Sequence, residues 1–166
     1  ATRKAKDLVR AAVARAGTLR ALKEKVISVT QKGLVIGGGI AGMNAALNLA
    51  KQGFDVVLLE KESQLGGFSR KLHHTIEGAD VPAYLEKLID QVNAHEKVDV
   101  LTDALVKAFG GYKGNFTTEV QVVSEEETRT IKHGVIIVAT GANEYEPKEY
   151  LYGEDDRIVT QVELGD

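Results

Sequence analysis

The chain has no cysteine among its 166 residues. Disulfides, cysteine-held iron–sulfur clusters and thiol catalysis are therefore excluded within it. It has no apolar run near the roughly 18–20 residues that span a bilayer, and no signal-peptide pattern opens it. It begins at Ala1 with no initiator methionine, which suggests a processed or excised chain. Net charge is only −3, too little for a strong nucleic-acid field. Four histidines, at 73, 74, 95 and 133, show no metal-ligand spacing. His95 and His133 read as surface residues. These absences lead to three expectations: no nucleic acid, no membrane insertion and a cytoplasmic location. At 43% hydrophobic and 27% charged residues, the composition is that of one ordinary domain with a real core.

What is present is a glycine turn between an apolar run and a helical run. Leu34-Val-Ile36 leads into Gly37-Gly-Gly-Ile-Ala-Gly42, a helix follows to Gly53, and Phe54-Asp-Val-Val-Leu-Leu ends in Glu60. This is the dinucleotide-binding βαβ fingerprint. Gly37 permits the sharp turn from strand to helix, Gly39 lets a pyrophosphate approach the backbone, and Gly42 lets helix and strand pack closely. The N–H groups of the helix start, including those of Ile40 and Ala41, face the diphosphate. Ala46, Leu49 and Ala50 give the helix an inward stripe, and Gly53 suits its C-terminal cap. Glu60 is placed to accept hydrogen bonds from ribose hydroxyls, and it would repel the 2′-phosphate of NADP.

Residues 3–26 carry apolar side chains at spacings of three and four, which predicts an amphipathic helix. Its other face is basic, with a segment net charge of +6 that leaves −9 elsewhere. Such a helix either docks on the acidic remainder or offers a contact surface to a partner protein. It lacks the bulky aromatic anchors of a membrane-surface helix. Further on, Asp80 and Pro82 open a helix running to about His95, with Tyr84, Leu85, Leu88, Ile89 and Val92 as its stripe. Val98–Leu101 reads as a third parallel strand. Residues 105–109, 116–123 and 128–132 read as an antiparallel meander, with Gly110, Gly111 and Gly114 at its first turn and 124–127 at its second. Val135–Val138 returns to the parallel sheet. The predicted fold is a Rossmann-like α/β domain over 31–166: a central parallel sheet, helices and a small meander in three layers, preceded by a basic helix and linker over 1–30. A plain NAD domain would continue with βα units where the meander stands. A complete NAD-binding oxidoreductase domain and a non-catalytic subunit-docking module stand as alternatives to an FAD domain.

Several stretches together resemble FAD domains of the pyridine-nucleotide-disulfide-reductase superfamily, and more narrowly the A subunits of heterodisulfide reductases. They are Val35-Ile-Gly-Gly-Gly-Ile-Ala-Gly-Met43, Leu65-Gly-Gly67, Arg70-Lys-Leu-His73, Gly111-Tyr-Lys-Gly-Asn-Phe116, Ala139-Thr-Gly-Ala142, Glu149-Tyr-Leu-Tyr-Gly-Glu-Asp155 and Thr160-Gln161. The resemblance implies an FAD that collects and relays electrons. It also implies a longer parent protein that carries iron–sulfur clusters. The implied partners are heterodisulfide reductase subunits B and C, ferredoxin, and hydrogenase or formate dehydrogenase modules. By matching position, Lys61 would reach the adenosine side and the backbone near Leu105 would read the adenine edge. Gly66 and Gly67 would pass close to the cofactor, and Thr140 and Gly141 would line the sheet edge beside it. Arg70, with Lys71, His73 and His74, would stand near the flavin. The cysteine pair of flavin disulfide reductases is missing after Gly67. The nicotinamide-binding domain and the final FAD segment are missing too, so an isolated fragment is expected to be inactive alone.

Overall fold

A computed structural model describes residues 2–21, 24, 26–123 and 126–165. The elements run α1 (Thr2–Thr18), β1 (Lys32–Ile36), α2 (Ile40–Lys51), β2 (Asp55–Leu59), a 3-10 turn (Gly67–Lys71), α3 (Val81–Ala94), β3 (Val98–Leu101), β4 (Ala104–Tyr112), β5 (Asn115–Val122), β6 (Glu127–His133) and β7 (Val135–Val138). A short 3-10 turn follows at Glu163–Gly165.

Strands β3, β2, β1 and β7 form, in that order, one parallel sheet. Strands β4, β5 and β6 form a separate antiparallel sheet. The two-residue period of the parallel strands sorts their side chains onto two faces. Val35, Val56 and Leu58 meet Met43, Ala46, Leu47 and Ala50 of α2 and Leu85, Leu88 and Val92 of α3. Leu34, Val57, Leu59 and Leu101 point the other way and meet Ala104, Val120 and Ile131 of the meander. Both faces are covered, which is why these strands read as continuous apolar runs.

The local signals act as their chemistry requires. Asp80 caps α3 by accepting the Ala83 N–H at 2.9 Å, with Pro82 in the first turn. Gly53 follows the Gln52 cap of α2 with φ +95°. Tyr84 departs from its expected place in the α3 stripe: it is 49% exposed, and Val81 is buried instead. The first meander turn is tighter than its glycines suggest. Tyr112 pairs with Asn115, so Gly110 and Gly111 belong to β4 and only Lys113 and Gly114 form the loop. At the second turn, residues 124 and 125 lie outside the described residues.

Two expectations are corrected. The N-terminal helix ends at Thr18, and 19–21, 24 and 26 are not helical; Leu22, Lys23 and Lys25 lie outside the described residues. Gly17 and β-branched Thr18 weaken the helix there, and the Thr18 hydroxyl bonds back to the Arg15 carbonyl at 2.7 Å. Every residue of α1 is exposed, so the helix is not docked on the acidic remainder. His133 is no surface residue. It is 0% exposed, because it shares the inward face of β6 with Ile131 and pairs with Phe116 of β5.

Candidate functional site

The carboxyl ends of the parallel strands gather the fingerprint residues. Beyond β1 the Gly37 N–H donates to Leu59 O at 2.8 Å, and beyond β2 the Glu60 N–H donates to Leu101 O at 2.9 Å. Beyond β7 the Ala139 N–H donates to Ile36 O at 2.7 Å. The sheet's hydrogen bonding thus carries past the strand ends and holds three turns side by side. They meet where β1 has β2 on one side and β7 on the other, the switch point at which open α/β sheets take ligands.

The glycines divide by what surrounds them. Gly37 has φ +112°, and a Cβ there would strike the Ala139 carbonyl. A Cβ on Gly42 would fall on the carbonyl oxygen of Gly37. At Gly38 a Cβ would lie 2.6 Å from Leu65 Cδ2. At Gly39 it would meet nothing within 4 Å. Three glycines are therefore required by packing, while the fourth stands before open space. Gly39 is also the N-cap of α2, with no side chain capping the helix start. N–H groups with no side-chain cap, open space before them and a helix dipole behind them suit an anion.

Glu60 is buried at 6% exposure. Its Oε2 accepts the Gly38 N–H at 2.6 Å and its Oε1 accepts the Glu62 N–H at 2.9 Å. The carboxylate thus ties the glycine turn to the loop after β2. Lone pairs remain on both oxygens for hydroxyl donors. A cleft of about 320 Å³ opens beside it, at the small end of ligand-site volumes. Gly37, Glu60, Lys61, Leu105, Thr140 and Gly141 all line it. So do Ile36, Leu59, Ala104, Val106, Ala142 and Asn143, none of which the sequence marks as a site residue. Ile36 and Leu59 could have been found as the last strand residues before the turn and the acid. Asn143 gave no signal, and neither did Gly38, whose N–H holds Glu60.

The remaining candidates stand around this cleft. Ile40, Ala41 and Gly42 form the first turn of α2. Leu65-Gly-Gly67 lies against the glycine turn, with the Gly66 N–H donating to Gly38 O at 2.8 Å and a Gly39–Gly66 bridge. Arg70 turns away from the cleft. Its Nε donates to Leu65 O at 2.5 Å, and it lines a groove against α3 with Pro82, Leu85 and Glu86. His73 and His74 are exposed in the strap before α3, where His73 O accepts the Val81 N–H. Among the described residues no cluster of His, Asp and Glu could hold a metal ion. None of their helices is long and apolar enough to cross a membrane.

A parallel sheet covered by helices on one face and a meander on the other, with a glycine turn and a buried acid at its switch point, is the Rossmann-like architecture of dinucleotide-binding domains. The chain belongs to the pyridine nucleotide-disulphide oxidoreductase family, whose model matches residues 31–163. It is 44% identical over 123 residues to the second of two iron–sulfur A subunits of CoB–CoM heterodisulfide reductase from Methanopyrus kandleri, covering 73% of this chain and 19% of that protein. It is 42% identical to the A subunit of the H2:CoB–CoM heterodisulfide, ferredoxin reductase of Methanothermobacter marburgensis, covering 73% of this chain and 18% of that protein. The chain thus spans under a fifth of the length of these two relatives. In fold it is similar to L-proline dehydrogenase from P. horikoshii, with a TM-score of 0.58 at 24% identity over 75% of this chain and 25% of that one. It is likewise similar to Lactococcus lactis thioredoxin reductase, with a TM-score of 0.51 at 20% identity over 69% of this chain and 32% of that one.

Proposed function

We propose that this chain is the adenosine-diphosphate-binding part of an FAD domain, from a cytoplasmic flavoprotein resembling the heterodisulfide reductase A subunits. The observation that carries this reading is the contrast at the glycine turn. Gly37, Gly38 and Gly42 are hemmed in, while Gly39 faces open space before an uncapped helix. A diphosphate fits that gap and that polarity.

In this reading the N–H groups of Gly39, Ile40 and Ala41 bind the diphosphate, and Gly42 keeps α2 close enough for them to do so. Glu60 accepts from the adenosine ribose while its bond to Gly38 holds the turn in shape. The backbone at Leu105 reads the adenine edge, Val106 walls the cleft, and Lys61 sits at its rim. Thr140 and Gly141 border the site from the end of β7. Gly66 and Gly67 let the following loop pass close, and Arg70 steadies that loop through the Leu65 carbonyl. FAD, when bound, supplies the acceptance and relay of electrons, and the protein's share is orientation and tuning. In the longer parent the electrons would pass to iron–sulfur clusters. Heterodisulfide reductase subunits B and C, ferredoxin, and hydrogenase or formate dehydrogenase modules would be its partners.

The test is retention of flavin. The purified chain is mixed with FAD, desalted, and its absorption spectrum recorded, with NAD run in parallel. Flavin bands near one per chain, lost in Glu60→Ala, are the expected result. Retention of NAD and not FAD would favour a nicotinamide domain. Retention of neither would sink the reading for this chain.

A further inference from the structure

We infer that the β4–β5 hairpin tip is a latch for the N-terminal arm, with Asn115 as its positioning residue. The stretch Gly111-Tyr-Lys-Gly-Asn-Phe116 takes no part in the cofactor cleft. β4 enters that cleft at its other end, through Ala104, Leu105 and Val106. The tip instead meets the segment that leads into β1.

Three hydrogen bonds join them. The Thr30 N–H donates to Gly114 O at 2.9 Å. The Thr30 hydroxyl donates to Asn115 Oδ1 at 3.0 Å, and Asn115 Nδ2 donates to Ser28 O at 2.6 Å. A carbonyl only accepts, so Ser28 O fixes which end of the amide faces it, and the other end is left for the Thr30 hydroxyl. The asparagine amide carries its donor and its acceptor on separate atoms, so one short side chain meets both partners at once.

The space is shaped for the same segment. A Cβ on Gly114 would lie 3.1 Å from Val29 Cγ2. A Cβ on Gly134, between β6 and β7, would strike the Thr30 carbonyl and lie 3.0 Å from Val29 Cγ1. Gly134 has no positive φ, so its missing side chain serves room and not backbone conformation. Two glycines from different turns and one two-ended amide thus converge on Ser28-Val29-Thr30.

The seat is shallow, and its one apolar side chain, Val29, is only half-buried against Gly114 and Gly134. Val29 is 53% exposed, and Val26, just before the seat, is 96% exposed. No apolar anchor is buried in it, so the arm can lift while β1 stays in the sheet. The latch lies at the amino end of β1, and the cofactor cleft lies at its carboxyl end. Closed, it makes the arm and α1 leave the domain from the hairpin tip, at the end of the sheet away from the cleft.

Because the chain has no cysteine, two labels can be placed cleanly on these 166 residues through Ala12→Cys and Glu119→Cys. The distance distribution between them is measured alongside amide hydrogen exchange. In Asn115→Ala and Gly134→Ala, the Thr30 amide should exchange about tenfold faster and the distribution should broaden, with the amides of Leu34 and Val57 unchanged. Thr30→Val, which removes one hydroxyl and threatens the fold least, should move Thr30 exchange in the same direction by less. The latch is overturned if Thr30 keeps its rate in both Asn115→Ala and Gly134→Ala. It is equally overturned if Leu34 and Val57 accelerate by the same factor, because the seat would then open only with the whole domain.

Discussion

At the scale of single residues, the glycine turn separates folding from binding. A methyl on Gly39 enters open space, so Gly39→Ala loses only the N-cap preference of glycine, about 1 kcal/mol or less. The same methyl stands where the diphosphate is proposed to approach. We therefore expect near-normal urea unfolding together with reduced FAD retention after desalting. Gly42→Ala should do the opposite. Its methyl would overlap the Gly37 carbonyl, at a cost in the upper range for overpacking, about 3 kcal/mol or more. Equal destabilisation of the two variants in urea would show that the space at Gly39 is not free.

His133 gives the residue scale a pH dependence. The ring Nδ1 faces the Val135 carbonyl at 3.2 Å, so it carries the proton, and Nε2 lies 2.8 Å from the Thr118 hydroxyl, which donates to it. Burial disfavours the imidazolium and lowers its pKa below the ordinary 6.5, against a smaller opposing effect of the bond to Val135. As pH falls below 6.5, the unfolded chain takes up a proton that the folded chain resists. Stability is then lost as pH drops from 6.5 toward the folded pKa. Urea midpoints between pH 8 and pH 5 should fall more steeply in the native chain than in His133→Gln. Parallel profiles would mean that the ring ionises without penalty.

At the scale of elements, amphipathic pattern alone does not bury a helix. The first helix, α1, has an apolar stripe yet buries none of its residues, and its first turn has no acid to offset the dipole. Helices of about 15 residues are marginal in water without packing. The next helix, α2, is shorter but buries Met43, Ala46, Leu47 and Ala50 against the sheet. Leu47→Ala should cost about 2–5 kcal/mol in urea unfolding. Val13→Ala in α1 should stay within about 0.5 kcal/mol. A large effect of Val13→Ala would show that α1 is covered in solution. The meander carries the same lesson. Alternation along β5 buries Thr118, Val120 and Val122, yet β4 is exposed at every residue after Ala104 in spite of Val106 and Phe109.

At the scale of the whole molecule, the central sheet is common to both apolar clusters, and this makes the cofactor cleft a composite. Its floor comes from the ends of β1 and β2, one wall from the start of β4, and its far border from the residues after β7. These pieces span positions 36 to 143 of the chain and meet only because the four parallel strands lie in the order β3, β2, β1, β7.

The spacing of glycines, apolar runs and one acid determined the strand–turn–helix–strand unit, the cap at Asp80, the meander and the return to the parallel sheet. Each of these is written in local stereochemistry: a turn needs glycine, a cap needs a short acceptor, a doubly covered strand needs an unbroken apolar run. Only the tertiary structure decided which glycines are crowded and which one faces open space. It also decided that Glu60 binds Gly38, that Arg70 turns toward Leu65, that His133 is interior and that α1 is not. Those outcomes depend on which distant segment fills the space beside a residue, and no local pattern of residues records that.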